Sequence, residues 1–300
     1  MRPSYLHRLT LRQVEIYLAV CRLRSYSRAA EELRLTQPAV SSQSRQLEQL
    51  VGEPLLNYVA KRLFLTPAGE LVESAARDLQ QRLIATEMEL AELHGRVQGA
   101  LTIAAESSAQ YFLPDVFAEF CQQHPGVELQ FEVVNHATAL RRVPENRDDF
   151  VVMGIIPQDR SLTFVPFREN QLVAIAHPGS DIAKLALPTI DDLTNETLLV
   201  REPGSGTRAI FAQYCLEQGV RFDRMQQLGS IEAVKAGVLA GLGTAVLPAD
   251  ACQNELALGK LKTLSIRGFP LRRSWCALYP KGKQLTPVAE RFLNHLLGSG

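Results

Sequence analysis

Nothing in this 300-residue sequence approaches the roughly 18 consecutive apolar residues of a membrane span, and its first residues lack the apolar core of a secretion signal. A chain with neither is expected to act in the cytoplasm, away from any membrane. Cysteine is scarce. The five (Cys21, Cys121, Cys215, Cys252, Cys276) are scattered without a CxxC spacing, which argues against a disulfide framework or a zinc site and predicts small buried thiols. Catalytic constellations are missing as well: there is no HExxH, no motif with paired carboxylates and no recognisable nucleophile–base pair. The six histidines (His7, His94, His124, His136, His177, His295) are dispersed and read as solvated or capping. The expectation is therefore no enzyme, no metal and no resident cofactor.

Net charge is also absent, with 32 basic and 32 acidic residues, but the balance is uneven. Residues 1–65 hold ten Lys/Arg against five Asp/Glu, so a basic head precedes an acidic body. A solvated basic surface is the plain reading of such a head, and the helix pattern inside it turns the balance toward phosphate binding. Residues 27–35 place Ala29, Ala30 and Leu33 on one helical face. A second helix opens at Thr36-Gln37-Pro38, because proline fits a first turn whose N–H makes no bond, and it keeps Val40, Leu47 and Val51 in register. Residues 9–23 form a supporting helix behind them, capped by Thr10. Two helices joined by about three residues are laid out as a helix-turn-helix. Gln37, Pro38, Ser41, Ser42 and Arg45 lie off the apolar stripe in the turns that enter a major groove; Ser27, Arg28 and Thr36 flank them. Residues 55–65 read as two short strands around Ala60-Lys61-Arg62, a wing whose Lys61 and Arg62 would meet phosphates or the minor groove.

The stretches SYSRAAEEL, TQPAVSSQSRQLE, GEPL and LFLTPAG, in this order and spacing over some sixty positions, resemble the N-terminal signature of the LysR-type transcriptional regulators. The resemblance weakens toward the C-terminus. Tyr58 and Ser42 stand where the family often has arginine, and Ser44 where an isoleucine usually packs, which suggests a looser core beneath that helix. The resemblance implies a partner in double-stranded DNA at a dyad operator, a homodimer or homotetramer, and a role beside RNA polymerase.

Behind the wing, residues 67–94 repeat Leu71, Ala75, Leu79, Leu83, Thr86, Leu90 and Leu93 at three or four residues, with charged flanks. Such a helix, roughly 40 Å long, must bury its stripe on its own domain or on a second copy. Pairing with a second copy would set two reading heads at a fixed separation. LysR-type regulators pair through a linker helix of this kind.

From Ala100 strands and helices alternate, implying a largely parallel sheet covered by helices. The chain is expected to cross to a second lobe around residues 166–171 and to return with residues 275–279. Three segments follow: residues 1–66, an all-α winged helix-turn-helix; residues 67–98, a linker helix for dimerisation; and residues 99–300, a two-lobed α/β effector domain like a periplasmic binding protein. Lobe 1 would hold about residues 99–168 and 275–300, and lobe 2 about 169–274.

Ligands of open α/β sheets bind beyond the carboxyl ends of strands. Four such ends carry suitable groups: Ser107 and Ser108; Asn135 and Thr138; Glu202, Ser205, Gly206, Thr207 and Arg208; and Ser230 with Ile231. Each serine alone reads as an ordinary helix cap, whereas four converging ends suggest an anion site in the cleft, with Arg208 forking onto carboxylate or phosphate. NRDDFVVMG, REPGSGTR and GLGTAVLP are similar to the sensor domains of LysR-type regulators of RuBisCO operons, which implies a small phosphorylated or dinucleotide effector and carbon-metabolism genes. REPGSGTR lacks the spacing of a phosphate-binding P-loop. A solute-binding protein or an anion-processing enzyme on the same two lobes are the alternatives, disfavoured by the missing signal segment, the basic head and the lack of catalytic groups.

Overall fold

A computed structural model describes residues 8–59, 62–157 and 159–298. The chain divides into two compact units, Met1–Glu89 and Leu90–Gly300.

In the first unit, helix α1 (Leu11–Leu23) starts from Thr10 in a reciprocal capping box: Gln13 N donates to Thr10 Oγ1 at 3.2 Å and Thr10 N to Gln13 Oε1 at 3.1 Å. Helix α2 (Tyr26–Glu32) is capped by Ser25. Arg34 then takes φ +53° while Leu35 N donates back to Ala30 O at 2.8 Å, closing the tight turn that precedes helix α3 (Gln37–Val51). Thr36 caps α3 by accepting from Ala39 N, and Gly52 at φ +86° ends it. The start at Thr36 was expected from the sequence. Ile16, Val20, Ala29, Ala30, Val40 and Leu63 form the core beneath. Ser44 is 1% exposed and its hydroxyl donates to Val40 O at 3.1 Å, so a satisfied serine is sealed where isoleucine is usual. Strands β1 (Leu56–Val59) and β2 (Arg62–Leu65) pair antiparallel, and the Glu48 carboxylate accepts from Leu55 N and Leu56 N, tying this wing to α3. Helix α4 (Pro67–Leu93) begins against α1: Tyr17 Oη donates to Gly69 O at 2.9 Å, and a Cβ at Gly69 would fall 2.1 Å from Leu55 O.

The second unit opens with β3 (Gln98–Glu106), a 3-10 turn at Ser107–Tyr111, α5 (Leu113–Gln123), β4 (Gly126–Val134), α6 (His136–Glu145) and β5 (Phe150–Met153). The long strand β6 (Leu162–Ala176) leads to α7 (Asp181–Lys184), α8 (Ile190–Thr194), β7 (Leu198–Val200), α9 (Gly206–Gln218), β8 (Met225–Gln227), α10 (Ile231–Leu239), β9 (Thr244–Pro248) and α11 (Ala249–Ala257). β10 (Lys262–Thr263), β11 (Leu271–Pro280) and α12 (Pro287–Gly298) complete it.

The strand order is β4-β3-β5-β11-β6-β9-β7-β8, with β10 paired to β6. β3, β4 and β5 are mutually parallel in one lobe, and β7, β8 and β9 in the other. β6 and β11 lie antiparallel between them and run through both lobes: Val165 faces Ala277 on one side, and Leu172 faces both Leu271 and Pro248 on the other. The sequence predicted a crossing near residues 166–171 and a strand only from 171. Instead β6 is continuous, because the polar run Arg168-Glu169-Asn170-Gln171 is held as strand by Trp275, Ser274, Arg273 and Arg272 opposite it, with a register irregularity at Trp275/Cys276. In lobe 1 the buried Asp149 accepts from Thr102 N at 2.8 Å and Thr286 Oγ1 at 3.1 Å, which fixes β3 and the start of α12. Val173, Ile175, Val234, Val238 and Leu247 are among the core of lobe 2.

Candidate functional site

Two surfaces carry the residues singled out from the sequence. On the first unit, Gln37, Pro38, Ser42 and Arg45 are exposed along the outer side of α3, with Thr36 exposed at its cap. Ser41 is half-buried and donates to Pro38 O at 3.1 Å. Ser27 and Arg28 are exposed on α2. Arg28 donates to Leu23 O, and it lines a recess together with Arg24 and Arg62. Arg62 is exposed at the start of β2, whereas Lys61 lies outside the described residues. Arg24, with φ +49°, adds a cation beside Arg28 that the sequence reading did not single out. The short α1–α2 connection brings the two together.

In the second unit the strand ends converge between the lobes. Ser108 Oγ, at the end of β3, lies 3.4 Å from Thr207 Oγ1 in the first turn of α9, and both residues are buried. Ala137 N donates to Gly204 O at 3.2 Å, linking the start of α6 to the loop after β7. Gly204 is needed twice over here. Its φ is +87°, and a Cβ would fall 3.3 Å from Ala137 Cβ. Ser107 Oγ accepts from Arg201 Nη2 at 3.3 Å.

Asn135 caps α6 by accepting from Thr138 N at 2.9 Å, and Thr138 Oγ1 accepts from Arg141 at 3.2 Å. Ser205 caps α9 through Arg208 N, and Ser230 caps α10 through Ala233 N at 3.0 Å. Ile231 is 2% exposed within the lobe 2 core, so its side chain lines no cleft and only its main-chain N–H remains there. Arg208, expected to fork onto an anion, has one end of its guanidinium engaged within the protein. Its Nη1 donates to Arg201 O at 2.8 Å and Gln227 Oε1 at 3.0 Å, bracing the main chain behind the loop.

Three central residues escaped the sequence reading. Glu106, 5% exposed, ends β3 and meets His136 Nδ1 at 2.6 Å. A Cβ on Gly206 would sit 2.8 Å from Glu106 Oε2, and one on Gly154 would sit 3.6 Å from the same atom. This carboxylate is therefore packed close against the start of α9, where glycine leaves it room, and it makes ordinary contact with the end of β5. His136 was read as solvated or capping; in the structure it is the partner of that buried carboxylate. Arg201, also 5% exposed, forks onto Glu202 through Nε (2.7 Å) and Nη2 (2.8 Å). Burial works against ionisation of Glu202, yet the Arg201 guanidinium outweighs it and holds the carboxyl below its usual range. A charge at the very end of an apolar strand was the available signal in both LTIAAE and TLLVR.

Beside this centre, Tyr111 Oη donates to Glu232 Oε1 at 2.7 Å, joining the 3-10 turn to α10. Burial first, and the Glu232 carboxylate second, push the Tyr111 phenol up. Trp275 packs on Phe112 at 5.5 Å between centroids, and Arg168 caps that ring at 4.5 Å. The arrangement offers hydroxyls, a helix N-terminus and a buried cation across a lobe boundary, which is chemistry for holding an anion.

Comparison with known proteins agrees with this division. The family model described as the LysR substrate binding domain matches residues 94–299, and the one described as bacterial regulatory helix-turn-helix protein, lysR family, matches residues 11–70. The chain is 40% identical over 293 residues to the RuBisCO operon transcriptional regulator of Acidithiobacillus ferrooxidans, covering 97% of this chain and 94% of that protein. It is 36% identical over 287 residues to the HTH-type transcriptional activator CmpR of Synechocystis, covering 96% and 94%. Among solved structures, the regulatory domain of Synechocystis CcmR in complex with 2-PG superposes with TM-score 0.64 at 34% identity, over 67% of this chain and 97% of that one. Full-length CbnR complexed with its target DNA shares the fold, with TM-score 0.64 at 20% identity over 97% and 100% of the chains.

Proposed function

This chain belongs to the LysR family of DNA-binding transcriptional regulators, and from that premise we propose how its parts divide the work. Residues 1–66 read a dyad operator, with Gln37, Pro38, Ser41, Ser42 and Arg45 of α3 toward base edges in the major groove. Ser27, Arg28 and Thr36 hold the backbone, and Lys61 and Arg62 reach phosphates or the minor groove from the wing. The observation that carries this reading is the outward row on α3, exposed while Val40, Ser44 and Leu47 fill the core.

Residues 67–98 serve as the pairing segment. Leu79 and Leu83 of α4 are 39% and 41% exposed in the single chain, as an apolar stripe awaiting a second copy would be. The operator-bound form is a dimer or tetramer that works beside RNA polymerase. Residues 99–300 sense a small anion between the lobes, which changes the inter-lobe angle and with it the spacing of paired heads and the bend of the DNA. The cleft is a sensor and turns nothing over. Two relatives are named for RuBisCO operons, and one similar domain holds 2-PG, so the target genes serve carbon fixation and the effector is a small phosphorylated acid. The regulator works in the cytoplasm, where its DNA lies; among the described residues no helix is long and apolar enough to cross a membrane.

A gel shift across a salt series, on DNA upstream of the protein's own gene and of a RuBisCO operon, tests the reading. A footprint whose bend changes with phosphoglycolate is expected. Binding insensitive to salt, or a footprint and bend indifferent to every phosphorylated acid tried, overturns it.

A further inference from the structure

Arg201 leaves one end of its guanidinium unpaired. Nε and Nη2 are engaged by Glu202, and Nη2 also reaches Ser107 Oγ on the other lobe. Nη1 is buried and has no hydrogen-bond partner among the described residues. A guanidinium cannot shed its charge inside a protein, so a buried N–H group of this kind is a standing demand for an acceptor. The planar group also puts Nη1 next to the nitrogen that touches Ser107, so an acceptor for it lies at the lobe boundary.

The pairing with Glu202 is suited to exchange. The two residues are neighbours in the chain, yet the Arg201 side chain is 5% exposed and the Glu202 side chain 22%. The cation is therefore fixed and the carboxylate is the partner with access to water. Arg208 Nη1, 2.8 Å from Arg201 O, braces the main chain at this point. A ligand carboxylate or phosphate presents the same two-oxygen edge that Glu202 now presents.

We propose that Arg201 is the cationic receptor of the effector and that Glu202 is its built-in stand-in, a tethered carboxylate that the incoming anion replaces on the same fork. This deepens the sensor reading above and rests on it. One group of the ligand takes the Nε/Nη2 edge from Glu202, and a second acidic group a few atoms away engages Nη1 with Ser107, Ser108 and Thr207. A tethered competitor acts at an effective concentration of about millimolar or more. A monoanion that offers nothing beyond Glu202 is thus excluded, while a ligand with two acidic groups wins by its second contact. Glu202 sets specificity without needing to touch the bound ligand.

Calorimetric titration of the full-length protein with phosphoglycolate, inorganic phosphate and glycolate decides the matter, with thermal melts of each variant beside it. The unaltered protein is expected to bind phosphoglycolate and to give no signal with glycolate. Glu202→Gln removes the competitor's charge and is expected to tighten phosphoglycolate about tenfold and make glycolate binding measurable. The paired change Arg201→Gln with Glu202→Gln removes both charges together, so no buried charge is left alone. It is expected to melt near the unaltered protein and to lose about a hundredfold or more in affinity. Arg201→Lys, which keeps charge without the fork, is expected to lose about tenfold.

Unchanged or weaker affinity in Glu202→Gln at an unchanged melting temperature overturns the exchange. Retained affinity in both Arg201 variants overturns the receptor assignment. In both cases the sensor reading survives, because the unaltered protein still binds. If the unaltered protein binds none of the three anions, the sensor reading for this ligand class fails and the inference falls with it.

Discussion

His136 Nδ1 lies 2.6 Å from Glu106 Oε1, joining the first residue of α6 to the last residue of β3. The other oxygen of the same carboxylate would be 2.8 Å from a Cβ on Gly206, in the opposite lobe. One buried carboxylate at a strand end thus meets the starts of two helices, and it sits where the lobes meet.

Removing its partner should be felt in both stability and binding. His136→Ala leaves Glu106 buried without the imidazole, a loss of about 1–3 kcal/mol in urea denaturation. Gly206→Ala pushes a methyl group against the carboxylate from the other side. Phosphoglycolate affinity is expected to fall in Gly206→Ala even if its denaturation midpoint stays put. A variant with unchanged affinity would show that the lobes do not depend on this contact.

Arg45 and Arg62 should separate base reading from phosphate binding. Arg62→Ala on the wing is expected to weaken binding about equally on every DNA sequence and to reduce the slope of log affinity against log salt by about 0.9. Arg45→Ala on α3 is expected to cost about 1–3 kcal/mol on the operator and to relax the preference at one base position. Competition gel shifts at several salt concentrations distinguish the two, and identical behaviour would speak against the docking of α3.

Gly69 is the tightest approach in the first unit, with Leu55 O 2.1 Å from where a Cβ would stand. A carbonyl held by the chain cannot rotate away as a side chain does. Gly69→Ala is expected to destabilise the unit by about 3 kcal/mol, seen as a lowered melting temperature. Operator binding should fail on warming before phosphoglycolate binding does.

The buried thiols give the protein an alkaline limit. Burial pushes Cys21 and Cys252 up to about 12, and Cys215 and Cys276 up to about 11. In the unfolded chain thiols ionise near 8.5. Below that value both states are protonated and this contribution to stability is fully present. As pH rises from there toward 11–12 the unfolded chain sheds protons that the folded chain keeps, so stability falls across that window. Urea midpoints at pH 8 and pH 10.5 should show the drop, and equal midpoints would refute it.

Much of the first unit was legible in the sequence because its signals are local. Thr10 and Thr36 mark helix starts within three residues of the bonds they make, and the apolar positions of α1 and α3 follow the helical period. The strand crossing at residues 162–176 was not legible. Its polar middle looks like a loop, and only β11, about a hundred residues later, supplies the partners that make it strand. Helices α7, α8 and α11 also went unanticipated. They are short and their apolar residues are few, so no period emerges.

For the ligand site the division is sharper. Serines and glycines at strand ends could be named from spacing alone, since helix caps and tight turns are written in adjacent residues. That Glu106 finds His136, that Arg201 rather than Arg208 faces Ser107, and that Ile231 turns into the core were decided by the packing of the two lobes. Burial of a charge depends on which distant surfaces close over it, and a linear pattern holds no measure of that. The order of amino acids determined a capped reading head and two α/β lobes. Tertiary structure alone decided which charges at the lobe boundary are buried and which partners each one finds.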